Sequence, residues 1–108
     1  MIEFEDLRLR LLESEKPIAN LKEALAIDHV EKEIAELDEQ AAAPGFWDDT
    51  ENSQKVLKKA GALKAKLESY NSLKNDYDDS LMMIELADEE NDESMLEDCT
   101  KSVDSIES

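Results

Sequence analysis

Little in this chain can bend, cross-link or carry a reaction. In 108 residues there are two glycines, two prolines, one cysteine, one histidine and one tryptophan. A single cysteine excludes an internal disulfide, and Cys99 falls on an apolar helical stripe, so a buried, reduced thiol is expected. His29 has no cysteine or second histidine beside it, which argues against a zinc site. The scarcity of glycine leaves no phosphate-cradling loop, and no Ser/His/Asp or Cys/His set stands in a supporting context. Asp76, Asp78 and Asp79 imitate part of a calcium loop but lack its central glycine and lie within a helical pattern. Catalysis by this chain alone is not expected: catalytic, cofactor and metal residues are all read as none, and no carboxylate can be singled out as a general acid or base. The longest strongly apolar run, Leu81-Met82-Met83-Ile84, is far too short to cross a bilayer. The opening Met1-Ile2-Glu3-Phe4-Glu5-Asp6 is acidic where a secretory signal is basic. A soluble, cytoplasmic protein is expected.

Charge is what the chain has in excess. Its 29 acids and 12 bases give a net charge of -17, which repels nucleic-acid phosphate and favours basic or protein partners. The distribution is uneven: residues 1–54 carry 15 acids and 5 bases, residues 55–75 carry 1 acid and 6 bases, and residues 76–108 carry 13 acids and 1 base. The central lysines, Lys55, Lys58, Lys59, Lys64, Lys66 and Lys74, read either as a phosphate-binding stripe or as a solvated face paired with acidic neighbours. The acidic flanks favour the second.

Apolar spacing gives an all-α chain. Phe4, Leu7, Leu11, Ser14, Ile18, Leu21 and Leu25 alternate by three and four, predicting a helix over roughly 3–25 that Pro17 should kink or split near Ser14 to Lys16. The phase then changes. Val30, Ile34, Leu37 and Ala41 predict a helix over 28–42, with Asp28 and Glu31 in the spacing of a capping box, separate from the first helix or joined to it through an altered turn. Val56, Ala60, Leu63, Leu67, Tyr70, Lys74, Tyr77, Leu81 and Ile84 predict a helix over 51–88, roughly 57 Å long. Lys74 is its one departure, partly filled by Leu73, and Gly61 lies between seam positions. Met83 is placed beside the seam and Met82 off it. The charged break Asp88-Glu89-Glu90-Asn91-Asp92 offers Asp92 as the cap of a last helix over 93–107 bearing Met95, Leu96, Cys99, Val103 and Ile106. These elements predict a single helical domain over 1–108: a monomeric antiparallel bundle or coiled coil of three to four helices with one long central helix. The last seam stops in mid-pattern, which points to the amino-terminal part of a longer protein.

The least interchangeable segment is Ala43-Pro44-Gly45-Phe46-Trp47-Asp48-Asp49. Pro44 stops the preceding helix, Gly45 lets the chain turn, and Asp48, Asp49 and Thr50 are N-cap candidates. Pro44, Phe46 and Trp47 form a structural corner, with Trp47 expected to be buried as a plug, so that Trp47→Ala would cost about 3–5 kcal/mol. An exposed Trp47 would instead favour a partner-binding use.

In order and spacing, Leu25-Ala26-Ile27-Asp28, the corner at 43–49, Gln54-Lys55-Val56-Leu57-Lys58-Lys59 and Leu86-Ala87-Asp88-Glu89-Glu90-Asn91-Asp92-Glu93 resemble the amino-terminal helical domain of bacterial peptide chain release factor 2, within the class I release factor family. The resemblance runs along the whole chain. It implies a factor that recognises UGA and UAA stop codons and promotes peptidyl-tRNA hydrolysis on the ribosome, through a Ser-Pro-Phe loop and a Gly-Gly-Gln loop. Neither occurs here. What the resemblance implies for this chain is an accessory module that lies toward the ribosomal stalk base and GTPase-associated region; which residues bind the partner is unknown from sequence. Two other classes fit the composition: a free-standing acidic helical-bundle or coiled-coil interaction protein unrelated to termination, and an acidic mimic of nucleic acid that occupies a basic protein surface.

Overall fold

The computed structural model describes residues 1–108 and is all-helical, with α1 Ile2–Leu12, α2 Glu15–Ala24, α3 Ile27–Ala41, α4 Thr50–Glu89 and α5 Leu96–Glu107. Two short 3-10 turns, Phe46–Asp48 and Glu93–Met95, precede α4 and α5. The chain forms two compact units, one of Met1–Leu21 with Asn71–Ser108, the other of Lys22–Tyr70.

The helix expected over 3–25 is two helices. The chain leaves α1 through Glu13 and Ser14, where the Ser14 amide bonds to the Leu11 carbonyl at 2.9 Å. Pro17 is then the third residue of α2. A first-turn amide has no carbonyl of its own helix to meet, so a proline there removes no helical hydrogen bond, and restarting the helix just ahead of Pro17 avoids a kink. The next break is at Ala26, whose left-handed backbone (φ 52°) separates α2 from α3. The expected capping box does not form. Ala26 precedes α3 and Asp28 lies inside its first turn, where its charge complements the helix dipole without capping it. The first seam weakens toward its end: Leu21 is exposed and Leu25 half-buried, while Ile27, which belonged to no seam, is buried.

In the unit of Met1–Leu21 and Asn71–Ser108, α1 packs on α5. Phe4, Leu11, Cys99 and Val103 are completely buried and Ile84 nearly so, with Leu7, Ile18, Tyr77 and Ala87 also inside. The Arg10 guanidinium bridges α1 to α5, meeting Asp104 at 2.8 Å and Glu107 at 2.5 Å. Buried Ser80 and half-buried Ser102 share a hydroxyl–hydroxyl hydrogen bond, so the polar atom of Ser80 is satisfied. The terminal ammonium of Met1 lies 2.6 Å from Asp88, and this contact raises its pKa. Burial pushes the Cys99 thiol and the Tyr77 phenol upward as well. The C-terminal end of α4 closes with Asn91 in the left-handed region (φ 53°), its amide on the Asp88 carbonyl at 3.1 Å and the Asp92 amide on the Ala87 carbonyl at 2.9 Å. These two crossed bonds satisfy carbonyls that the helix end leaves orphaned. Asp92 then accepts from the Ser94 amide at 3.1 Å, as a cap should, but it caps the 3-10 turn, and regular α5 begins only at Leu96.

In the unit of Lys22–Tyr70, Leu37, Phe46, Val56 and Ala60 form a small core, flanked by half-buried Ala41 and Leu63. Ile27, Val30 and Tyr70 are buried in the same unit. Ion pairs tie α3 to α4: Lys59 to Glu33 at 2.7 Å and Lys64 to Asp38 at 2.9 Å.

Candidate docking surface at the aromatic corner

Between α3 and α4 the backbone is fixed before any side chain is placed. The Ala42 amide bonds to the Asp38 carbonyl at 3.1 Å and the Ala43 amide to that of Gln40 at 3.2 Å, which finishes α3. Pro44 follows, exposed. Gly45 adopts φ +80°, a conformation natural to glycine, and a Cβ there would stand 3.3 Å from an Asp48 carboxylate oxygen. Phe46, Trp47 and Asp48 form the 3-10 turn. Asp49 then caps α4, its carboxylate accepting the Asn52 amide at 3.0 Å.

The turn decides where the two aromatic rings go. A 3-10 helix has three residues per turn, so consecutive side chains diverge by about 120° and cannot share a face. Phe46 takes the inward direction and is 7% exposed against Leu37, Val56 and Ala60. Trp47 is turned outward and is 68% exposed, which overturns the expectation of a buried plug. Of the three corner residues, only Phe46 is a core residue. The rings meet edge to face, their centroids 5.1 Å apart at an interplanar angle of 85°, a favourable quadrupolar arrangement. The indole is therefore supported from beneath while most of its surface faces solvent.

Sequence reading missed the residue that locks this corner. Ser53, 2% exposed on the first turn of α4, directs its hydroxyl to the Phe46 carbonyl at 2.5 Å and the Asp49 carbonyl at 2.8 Å. Ser53 lies three residues before Val56, in register with the α4 seam. Its polarity hid it.

The surroundings of Trp47 are mixed in charge. Asp48, Asp49 and Glu51 are exposed nearby in sequence, and Lys55 follows one turn after Glu51. Farther along α4 the lysines divide. Lys59 and Lys64 are taken up by the α3 acids, and Lys74 meets Asp78 at 2.9 Å while its ammonium lies 5.1 Å from the centre of the Tyr77 ring. The Lys59 hydrogen bond holds the Glu33 carboxyl below its ordinary range. Pairing with acids thus accounts for half of the stripe; Lys55, Lys58 and Lys66 are exposed and form no ion pair. His29 is exposed and 3.7 Å from Glu33. Cys99 is completely buried, as its seam position implied. No group of three metal-ligating side chains is assembled, and no helix is long and apolar enough to cross a membrane.

The family model described as the PCRF domain matches residues 30–108. Peptide chain release factor 2 of Exiguobacterium sp. is 33% identical over 105 residues, covering 97% of this chain and 29% of that protein. The protein of the same name from Acidothermus cellulolyticus is 37% identical over 76 residues, covering 70% of this chain and 21% of its own length. That from Petrotoga mobilis is 34% identical over 90 residues, covering 83% and 24% respectively. The chain thus spans between a fifth and a third of the length of these relatives. No solved structure gives a significant match.

Proposed function

Because this chain belongs to the PCRF domain family, we propose that it is the helical accessory module of a translation termination factor, docking on ribosomal protein near the stalk base and carrying no chemistry of its own. In this reading, recognition of UGA and UAA and hydrolysis of peptidyl-tRNA belong to other parts of the factor. The site of action is the cytoplasmic ribosome.

The observation that carries the docking role is Trp47. A large apolar ring, 68% exposed on a turn held by Ser53, Asp49 and Gly45, is presented without a compensating role in the core. Exposed aromatic anchors on rigid supports are what protein interfaces use as binding hot spots. The charge of -17 directs such an anchor toward basic protein surfaces and away from bare RNA phosphate.

Two assays test this. The 108-residue chain should release no peptide from ribosomes programmed with any stop codon, and release by the chain would overturn the reading. It should bind ribosomes weakly, with Kd roughly micromolar or higher, and lose binding when the stalk-base proteins are removed. Unchanged binding without those proteins would refute the site.

A further inference from the structure

A second surface lies in the unit of Met1–Leu21 and Asn71–Ser108, independent of the aromatic corner and of any role in termination. An open groove of about 450 Å³ runs along the last turns of α4 beside the second 3-10 turn, lined by Met82, Met83, Leu86 and Met95 with Asp79 and Glu90 at its ends. Three of the chain's four methionines meet here. Met82 is 61% and Leu86 53% exposed, an i, i+4 pair of large apolar side chains facing water. Neither is needed by the core.

We infer that this groove binds a basic amphipathic helix of a partner protein. Its lining positions on α4 from 79 to 87, followed by Glu90 just past the helix end, recur at three and four, a stripe about 12 Å long on the helix that matches roughly two turns of a docked helix with anchors at i, i+3 or i+4, and i+7. Methionine side chains are flexible and polarizable, and they accommodate varied apolar anchors. Charge selects the occupant. Residues 76–108 carry 13 acids and a single base, and neither Asp79 nor Glu90 enters an ion pair with that base or any other. A helix with Lys or Arg flanking its apolar stripe would neutralise the rim on docking. A second copy of this chain would bring acids against acids, and an anionic lipid surface would be repelled for the same reason.

The test uses the full 108-residue chain and a designed peptide of Leu and Lys whose leucines form one helical stripe. Binding of this peptide should shift the methyl resonances of Met82, Met83 and Met95. A scrambled peptide of identical composition, without the stripe, should bind at least about tenfold more weakly, and so should the parent peptide to a Met82→Lys, Leu86→Lys double variant. Leu57→Lys, at an exposed apolar residue of the other unit, should leave binding unchanged. Equal affinity for the scrambled peptide would reduce the interaction to net charge and overturn the groove. So would unshifted methionine methyls in the unaltered chain. Self-association of the chain that the double variant abolishes would make the occupant a second copy and overturn the proposed partner.

Discussion

The central clusters of the two units are buried to different depths, although Ile27, at 1% exposure, is as deep in its unit as Ile84 is in the other. In the unit of Met1–Leu21 and Asn71–Ser108, four side chains are wholly shielded, and α1 and α5 are joined by the Arg10 bridge as well as by packing. In the unit of Lys22–Tyr70, the central cluster of Leu37, Phe46, Val56 and Ala60 retains 4–8% exposure at each member, and the largest side chain of the unit, Trp47, is outside it. Size alone does not send an aromatic ring inward. The turn geometry at 46–48 admits one ring to the core.

The largest expected effect is on the deeper core. Phe4→Ala should cost about 4–5 kcal/mol, and Phe46→Ala about 3 kcal/mol, because the latter site is shallower and nearer to solvent. Either loss approaches the whole stability of a small domain, so both are read by denaturant titration in a stabilising osmolyte. A larger loss at Phe46 than at Phe4 would reverse the comparison.

Next in size is the lock of the corner. Ser53→Ala should cost about 1–3 kcal/mol, since it deprives the buried Phe46 carbonyl of its donor. Amide exchange should quicken across residues 46–53. A stability change near zero would mean that the corner is fixed by packing alone.

The units also separate by pH. Met1, Tyr77 and Cys99 all have raised pKa values and all belong to the unit of Met1–Leu21 and Asn71–Ser108. The stabilising charge of the Met1 amine is fully present below its ordinary pKa and is lost as pH rises through the raised folded value. For the buried thiol and phenol, the unfolded chain ionises first, so stability falls once pH passes their ordinary values. Alkaline unfolding should therefore begin in α1 and α5. Glu33 in the other unit and Glu5 in the first have lowered pKa values, through hydrogen bonds from Lys59 and Arg8. Their contribution is present above the ordinary carboxylate range and disappears as pH falls through the folded values. Residue-resolved NMR across an alkaline titration checks the asymmetry; simultaneous loss of both units would contradict it.

Sequence made much of this architecture readable, and its misses have physical causes. The α4 seam from Val56 to Ile84 and the cap at Asp49 were visible because spacing and capping chemistry act locally, whereas Asp92 caps the 3-10 turn and not the last helix it was expected to cap. Ser53 and Ser80 sit in buried positions of α4 but were not seen there, because a hydroxyl that finds a partner can occupy an apolar slot. The Arg10 bridge to Asp104 and Glu107 spans more than ninety residues and leaves no periodic trace. Ala26 took a left-handed conformation that composition does not announce, moving the start of α3 and burying Ile27. Trp47 was misplaced because its size was weighed and the direction imposed by a 3-10 turn was not.

The smallest expected stability effect is also the most decisive. Trp47→Ala removes only an exposed ring and its edge contact with Phe46, so it should cost less than about 1.5 kcal/mol. Thermal melting of this variant, with ribosome association measured on the same sample, tests directly whether the corner faces a partner. The account predicts a melting temperature close to that of the unaltered chain and a clear loss of association. A fall in stability of about 3–5 kcal/mol, the cost of removing a buried tryptophan, or full association by a stably folded variant would contradict it.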